Sequence, residues 1–128
     1  MKILIIAAAV LALAAPSFAQ AASANVPVGD PIAQVSGPDV FVTASAGETI
    51  TLTAVGSVCV SSCYSWRNPD AGLARYGGVI IGYGPTITVT PIAAGPSRIT
   101  LRYCVPTSAR FVRCATTYAY ITTTESYG

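Results

Sequence analysis

The clearest pattern in the chain is the strict alternation of polar and apolar residues from position 49 to position 54. Threonine occupies every second position, and Ile50, Leu52 and Ala54 fall between the threonines. Successive side chains of a β-strand point to opposite faces, so this period of two predicts a strand with one solvated and one packed face. Burial on one face alone is typical of an antiparallel sheet.

Similar segments recur along the chain. Residues 86–90 (TITVT) alternate with Ile87 and Val89 inward, and Tyr64-Ser65-Trp66 opens another extended segment. The remaining predicted strands are 31–36, 39–43, 79–81, 98–105 and 112–123. Turn residues separate them, and no segment after the N-terminal region shows a helical period with caps. We therefore expect an all-β, antiparallel β-sandwich of about seven strands, with Tyr64 and Trp66 in its core.

The N-terminal region has a different pattern. Lys2 precedes thirteen apolar residues, and Ser17-Phe18-Ala19 places small residues at a cleavage position. The apolar run is too short to span a bilayer, which favours a secretory signal peptide over a retained membrane anchor. We predict a signal peptide at 1–19, a flexible leader at 20–30, one sandwich domain at 31–124 and a tail at 125–128. The protein is then secreted or periplasmic, with no membrane insertion after cleavage.

Charge and composition exclude several classes of function. Removing the signal peptide removes the only lysine and leaves six arginines against five acidic residues, a net charge of +1. That charge is too small for strong electrostatic capture of nucleic acid or an anionic membrane. The chain has no histidine for a catalytic triad or a general base, and no phosphate-binding loop. We expect a protein that is not an enzyme and that needs no cofactor.

Four cysteines in an exported domain predict two disulfides. We pair Cys104 with Cys114 across the last hairpin and Cys59 with Cys63 at a bent corner. The alternative is a crossing pattern that links Cys59 or Cys63 to the later two cysteines. A four-cysteine zinc site is a further alternative, but the spacing of 104 and 114 is long for a ligand pair, and we expect no metal.

The Cys104–Cys114 pairing sets the register of the last hairpin, because residues whose numbers sum to 218 then lie opposite one another. One face becomes apolar and suits the core, with Ile99, Leu101 and Tyr103. The other face carries the candidate binding residues Arg98, Arg102, Tyr118 and Tyr120. These residues suit a glycan or an acidic partner, or alternatively they only stabilise a solvated sheet through cation–π contacts.

Two loops carry further candidate binding residues, because long loops are where a sandwich places its binding side chains. Arg75 and Tyr76 lie in the glycine-rich segment 67–84, and Arg110 and Phe111 lie in the loop at the tip of the last hairpin. The second loop supports an alternative function, a small secreted inhibitor or effector that inserts the disulfide-braced segment 106–113 into a partner.

The segments from 47 to 54 (GETITLTA), 64 to 66 (YSW), 85 to 91 (PTITVTP) and 98 to 103 (RITLRY) together resemble the PKD and bacterial Ig-like domains of extracellular proteins. The resemblance covers about residues 32–123, although four cysteines depart from the family pattern. It implies an immunoglobulin-like sandwich and a role in binding, adhesion or structure, with a protein or a glycan as partner. It implies no enzymatic activity.

Overall fold

A computed structural model of the chain describes residues 22–57, 63–68, 76–77 and 80–125. The predicted signal peptide, Cys59 and Arg75 lie outside the described residues. No helix in the described part is long and apolar enough to cross a membrane.

The described residues form eight strands in two sheets. The strands are β1 Ala22–Pro27, β2 Val40–Ser45, β3 Ile50–Val55, β4 Tyr64–Arg67, β5 Ile81–Gly82, β6 Thr86–Val89, β7 Gly95–Pro106 and β8 Val112–Thr124. One sheet has the order β1-β3-β6 and the other the order β2-β8-β7-β4-β5. The prediction of an all-β sandwich is confirmed.

The core lies between the two sheets and follows the alternation read from the sequence. Ile50, Leu52 and Ala54 of β3 are buried, as are Ile87 and Val89 of β6. Burying these apolar side chains is the main favourable term that holds the two sheets together.

The aromatic residues of β4 complete this core, as predicted. Trp66 is fully buried, and its indole N–H donates a 2.8 Å hydrogen bond to the carbonyl of Gly84. The ring of Tyr64 stacks on Tyr103 of β7, with the centroids 5.7 Å apart. Both residues therefore belong to the core and not to a ligand platform.

The sheets are mixed, whereas the sequence analysis expected antiparallel sheets. β1 runs parallel to β3, and β2 runs parallel to β8. Parallel strands that follow each other need a crossover connection. Between β1 and β3 the chain makes this crossover by passing through β2 in the other sheet. The N-terminal part of the domain thus contributes one edge strand to each sheet.

The predicted flexible leader at 20–30 is wrong from residue 22 onwards. Residues 22–27 form β1, and Val26 is fully buried in the core. Alternation is present here too, but its inward positions begin with Ala22 and Ala24, whose small side chains give a weak hydrophobic signal. The sandwich therefore begins before residue 31.

The predicted strand at 31–36 is also wrong, because the segment forms a turn. The carboxylate of Asp30 accepts hydrogen bonds from the backbone N–H groups of Ile32 and Ala33, at 3.0 and 3.1 Å. Backbone hydrogen bonds between Asp30 and Val35 close the turn. An aspartate that binds the backbone two and three residues on competes with a strand ladder for the same N–H groups.

The last hairpin has the predicted register throughout. Cys104 lies opposite Cys114 and is disulfide-bonded to it, and Leu101 lies opposite Thr117. Cys63 is also disulfide-bonded, and its predicted partner, Cys59, lies outside the described residues.

The turn after β1 docks closely on β8. The hydroxyl of Thr117, a buried side chain, donates a 2.7 Å hydrogen bond to the carbonyl of Pro27. Gly37 packs against the same hydroxyl so closely that a Cβ atom at this position would overlap it and the Pro27 carbonyl. This contact joins the edge strand β1 of the smaller sheet to the interior strand β8 of the larger one.

Candidate functional site: the outer face of the five-stranded sheet

The outer face of the five-stranded sheet holds the four hairpin residues singled out from the sequence. Arg98 lies directly opposite Tyr120, and Arg102 lies opposite Thr116. Arg102 is exposed, while Arg98, Tyr118 and Tyr120 are half-buried. Their neighbours along each strand, such as Ile99 and Leu101, are buried in the core. The period of two thus separates the core from a polar, aromatic face.

A cation–π contact organises the centre of this face. The guanidinium carbon of Arg98 lies 4.7 Å from the centroid of the Tyr118 ring. The Tyr118 ring lies beside the Tyr120 ring, with 6.2 Å between centroids and a 44° angle between planes. A guanidinium within about 6 Å of a ring centroid is attracted by the electron-rich face of the ring.

Phe41 extends the row of rings, and the sequence analysis missed it. It lies opposite Tyr120 in the pairing of β2 with β8, and the two rings stack with centroids 5.4 Å apart and planes at 17°. Its side chain is 76% exposed, the largest exposure among the large hydrophobic residues of the described part. We call Phe41, Tyr120 and Tyr118 the aromatic row.

Arg67 is a second residue that the sequence analysis missed. Arg67 lies opposite Thr100 in the pairing of β4 with β7. On β7, Arg98 precedes Thr100 by two residues and Arg102 follows it by two, so both lie on the same face as Thr100. Diagonal neighbours of this kind are about 7–8 Å apart at their Cα atoms. Arg67, Arg98 and Arg102 therefore form one cluster, which we call the arginine triad.

The charge on this sheet has one sign. Its five strands contain four arginines, the triad and Arg113, and no aspartate or glutamate. Arg113 lies away from the triad, and its side chain donates a 3.2 Å hydrogen bond to the carbonyl of Ile32. The triad and the aromatic row together make one cationic and aromatic surface on the outer face of the sheet.

The loop candidates do not join this surface. Tyr76 is half-buried, and its hydroxyl forms a 2.5 Å hydrogen bond with the hydroxyl of Ser97. Arg110 and Phe111 are exposed in the turn between β7 and β8, where the carbonyl of Phe111 accepts a 2.9 Å hydrogen bond from the N–H of Thr107. Phe111 precedes Tyr118 by seven positions of extended chain, a distance of about 23 Å. The hairpin turn is therefore a second, separate candidate surface.

The described residues include no group of three or more His, Cys, Asp or Glu side chains placed to hold a metal ion.

Comparison with known proteins yields little. No protein-family model matches the chain, and no curated protein matches it. Among solved structures, one similar chain is auracyanin A, described as a "blue" copper protein from the green thermophilic photosynthetic bacterium Chloroflexus aurantiacus. The two chains are 14% identical, the match covers 82% of this chain and 100% of that chain, and the TM-score is 0.43.

Proposed function

We propose that the protein is a secreted or periplasmic, non-enzymatic binding module, of the PKD-like or bacterial Ig-like kind, that contacts its ligand through the outer face of the five-stranded sheet. The observation that carries the proposal is the aromatic row, which ends in the largely exposed ring of Phe41 and runs beside Arg98. Aromatic residues and arginine are the residue types most enriched where proteins bind partners.

A purely structural role accounts for only part of this face. Cross-strand contacts such as Tyr120 on Phe41 stabilise a sheet whatever its function. They do not require a large apolar side chain at 76% exposure on an edge strand, where Phe41 lies. A single exposed hydrophobic side chain is ordinary, but Phe41 adjoins the ring of Tyr120, which adjoins that of Tyr118, and a contiguous apolar patch is typical of an interaction surface.

A second candidate function uses the hairpin turn. Phe111 and Val112 are 68% and 63% exposed, and the Cys104–Cys114 disulfide braces the strands below them. A braced, exposed apolar tip suits a small inhibitor or effector that inserts residues 106–113 into a partner.

Two matched substitutions separate these functions, because each surface exposes one phenylalanine. We expect Phe41→Thr to abolish ligand capture in a glycan-array and pull-down screen of the exported protein, and Phe111→Thr to leave capture intact. Threonine keeps the strand propensity at position 41 and removes the aromatic ring in both variants. The opposite result would establish the hairpin turn as the binding surface and overturn the sheet-face proposal.

Export is tested separately by N-terminal sequencing of the protein recovered outside the cytoplasm. We expect the mature chain to begin at Gln20, after cleavage behind Ala19. An intact N-terminus on a membrane-bound protein would contradict the proposed location.

A further inference from the structure

The arginine triad surrounds a single uncharged residue. Thr100 of β7 lies at its centre, with Arg67 directly opposite on β4 and with Arg98 and Arg102 two residues away on β7 itself. Three arginine residues thus share one patch of sheet that covers two neighbouring strands.

The contact with the Tyr118 ring accounts for Arg98 in terms of sheet stability, but no such contact among the described residues accounts for Arg67 and Arg102. Cross-strand pairs of opposite charge stabilise a sheet, and the triad takes part in no such pair within the described strands. The acidic residues of the described part, Asp30, Asp39, Glu48 and Glu125, all lie outside the five strands. The positive charge of the triad therefore has no counter-charge within the strands of its own sheet, and an anionic ligand would supply one.

The dimensions of the surface require an extended ligand. Arg67 on β4 is three interstrand spacings from Phe41 on β2, and Arg98 and Arg102 on β7 are two spacings from it. At about 4.8 Å per spacing, the distance from Arg67 to Phe41 across the sheet is about 14 Å. A ligand that contacts both ends must be a chain and not a single small anion.

Resting on the proposed function, we infer that the ligand is an acidic polysaccharide with carboxylate-bearing sugars, lying across the strands from the triad to the aromatic row. Guanidinium groups bind carboxylates through two parallel charge-assisted hydrogen bonds. The apolar C–H face of a sugar ring packs against an exposed aromatic ring such as Phe41. The exposed threonines beside these rings, Thr43 and Thr122, offer hydroxyls to the sugar hydroxyls.

An acidic peptide fits the same surface less well. Arginine clusters bind acidic peptide motifs as well, but extended peptides gain much of their affinity from main-chain hydrogen bonds at a sheet edge or from a groove. The triad lies on the open face of the sheet, and two of its members, Arg98 and Arg102, lie on the central strand β7.

The test is titration calorimetry of the mature protein with polygalacturonate as the probe. We expect wild-type protein to bind and the binding to weaken as salt screens the charges. We expect the double variant Arg67→Gln/Arg102→Gln to bind at least about tenfold more weakly, because it loses two charge-assisted contacts. The double variant Arg110→Gln/Arg113→Gln, which removes two charges from the hairpin end of the sheet away from the triad, is the control matched in charge, and its affinity should stay within about twofold of wild type.

Three outcomes would overturn the inference. The first is no binding of polygalacturonate by the wild-type protein. The second is equally tight binding of poly-glutamate, which would assign the triad to acidic peptides. The third is binding of neutral dextran that the Arg67 and Arg102 substitutions leave unchanged. Each of these outcomes leaves the proposed function standing, because the comparison of Phe41→Thr with Phe111→Thr decides that separately.

Discussion

Arg98 lies over the ring of Tyr118, although its direct partner in the hairpin register is Tyr120. The contact is therefore diagonal. It links two neighbouring cross-strand pairs of the outer face, Arg98–Tyr120 and Thr100–Tyr118. A double-mutant cycle of Arg98→Gln and Tyr118→Leu should give a coupling free energy of about 0.5–1 kcal/mol in urea denaturation, the range for an exposed cation–π pair. The same cycle with Arg110→Gln in place of Arg98→Gln should show no coupling. Equal values for the two cycles would mean that the contact adds no stability.

Thr117 should be far more sensitive to loss of its hydroxyl than its neighbour Thr116. In Thr117→Val a methyl group replaces a buried hydroxyl that binds the Pro27 carbonyl, so the free energy of unfolding should fall by about 1–3 kcal/mol. Thr116 points to the outer face, and Thr116→Val should change stability by less than about 0.5 kcal/mol. Chemical denaturation of the two variants measures both values. Similar losses in both would show that the hydroxyl contact across the sandwich is not important for stability.

Gly37 should tolerate no side chain. A Cβ atom there would overlap the Thr117 hydroxyl and the Pro27 carbonyl, so Gly37→Ala must push the segment after β1 away from β8. We expect a loss of more than about 3 kcal/mol, because overpacking and a broken buried hydrogen bond act together.

Gly84→Ala is the control for that substitution. The nearest atom to a Cβ at Gly84 is the Thr86 carbonyl oxygen, at an ordinary contact distance of 3.9 Å. Thermal melts of the two variants should therefore differ widely. If Gly37→Ala had the same melting temperature as the wild-type protein, the segment around Gly37 would pack against β8 less closely than described.

The Cys104–Cys114 disulfide should be a substantial part of the stability of the domain. It closes a loop with a sequence separation of 10, for which the chain-entropy model gives about 3 kcal/mol. Replacing both cysteines by alanine should lower the free energy of unfolding by that amount. Peptide mapping without reduction should recover this bond and, as predicted from the sequence, one between Cys59 and Cys63. A crossing pattern would contradict the hairpin register and the sheet face derived from it.

The sequence predicted the last hairpin well because its information is local. The two strands are joined by a short turn, and a single disulfide pairing determines which residues face each other. Arg98, Arg102, Tyr118 and Tyr120 were placed correctly on one face for that reason. Local alternation likewise predicted the burial of Ile50, Leu52 and Ala54, since a period of two requires no knowledge of the neighbouring strands.

Phe41 and Arg67 escaped the sequence analysis because their positions depend on long-range pairing. Phe41 meets Tyr120 only because β2 pairs in parallel with a strand that begins about seventy residues later. Arg67 joins Arg98 and Arg102 only because β4 lies beside β7. Neither pairing has a local signal, because loop-closure entropy and packing against the core decide which distant strands meet.

The sequence by itself determined that the chain is all-β, which residues are buried in its strongest strands, and how the last hairpin is paired. These properties follow from side-chain alternation and from short-range geometry. Only the tertiary structure decided that β1 and β2 divide between the two sheets, that residues 31–36 turn, and that Phe41 and Arg67 complete the outer face. Those outcomes depend on which strands, far apart in the chain, pair with each other and pack over the shared core. The alternation within a single strand carries no information about that pairing.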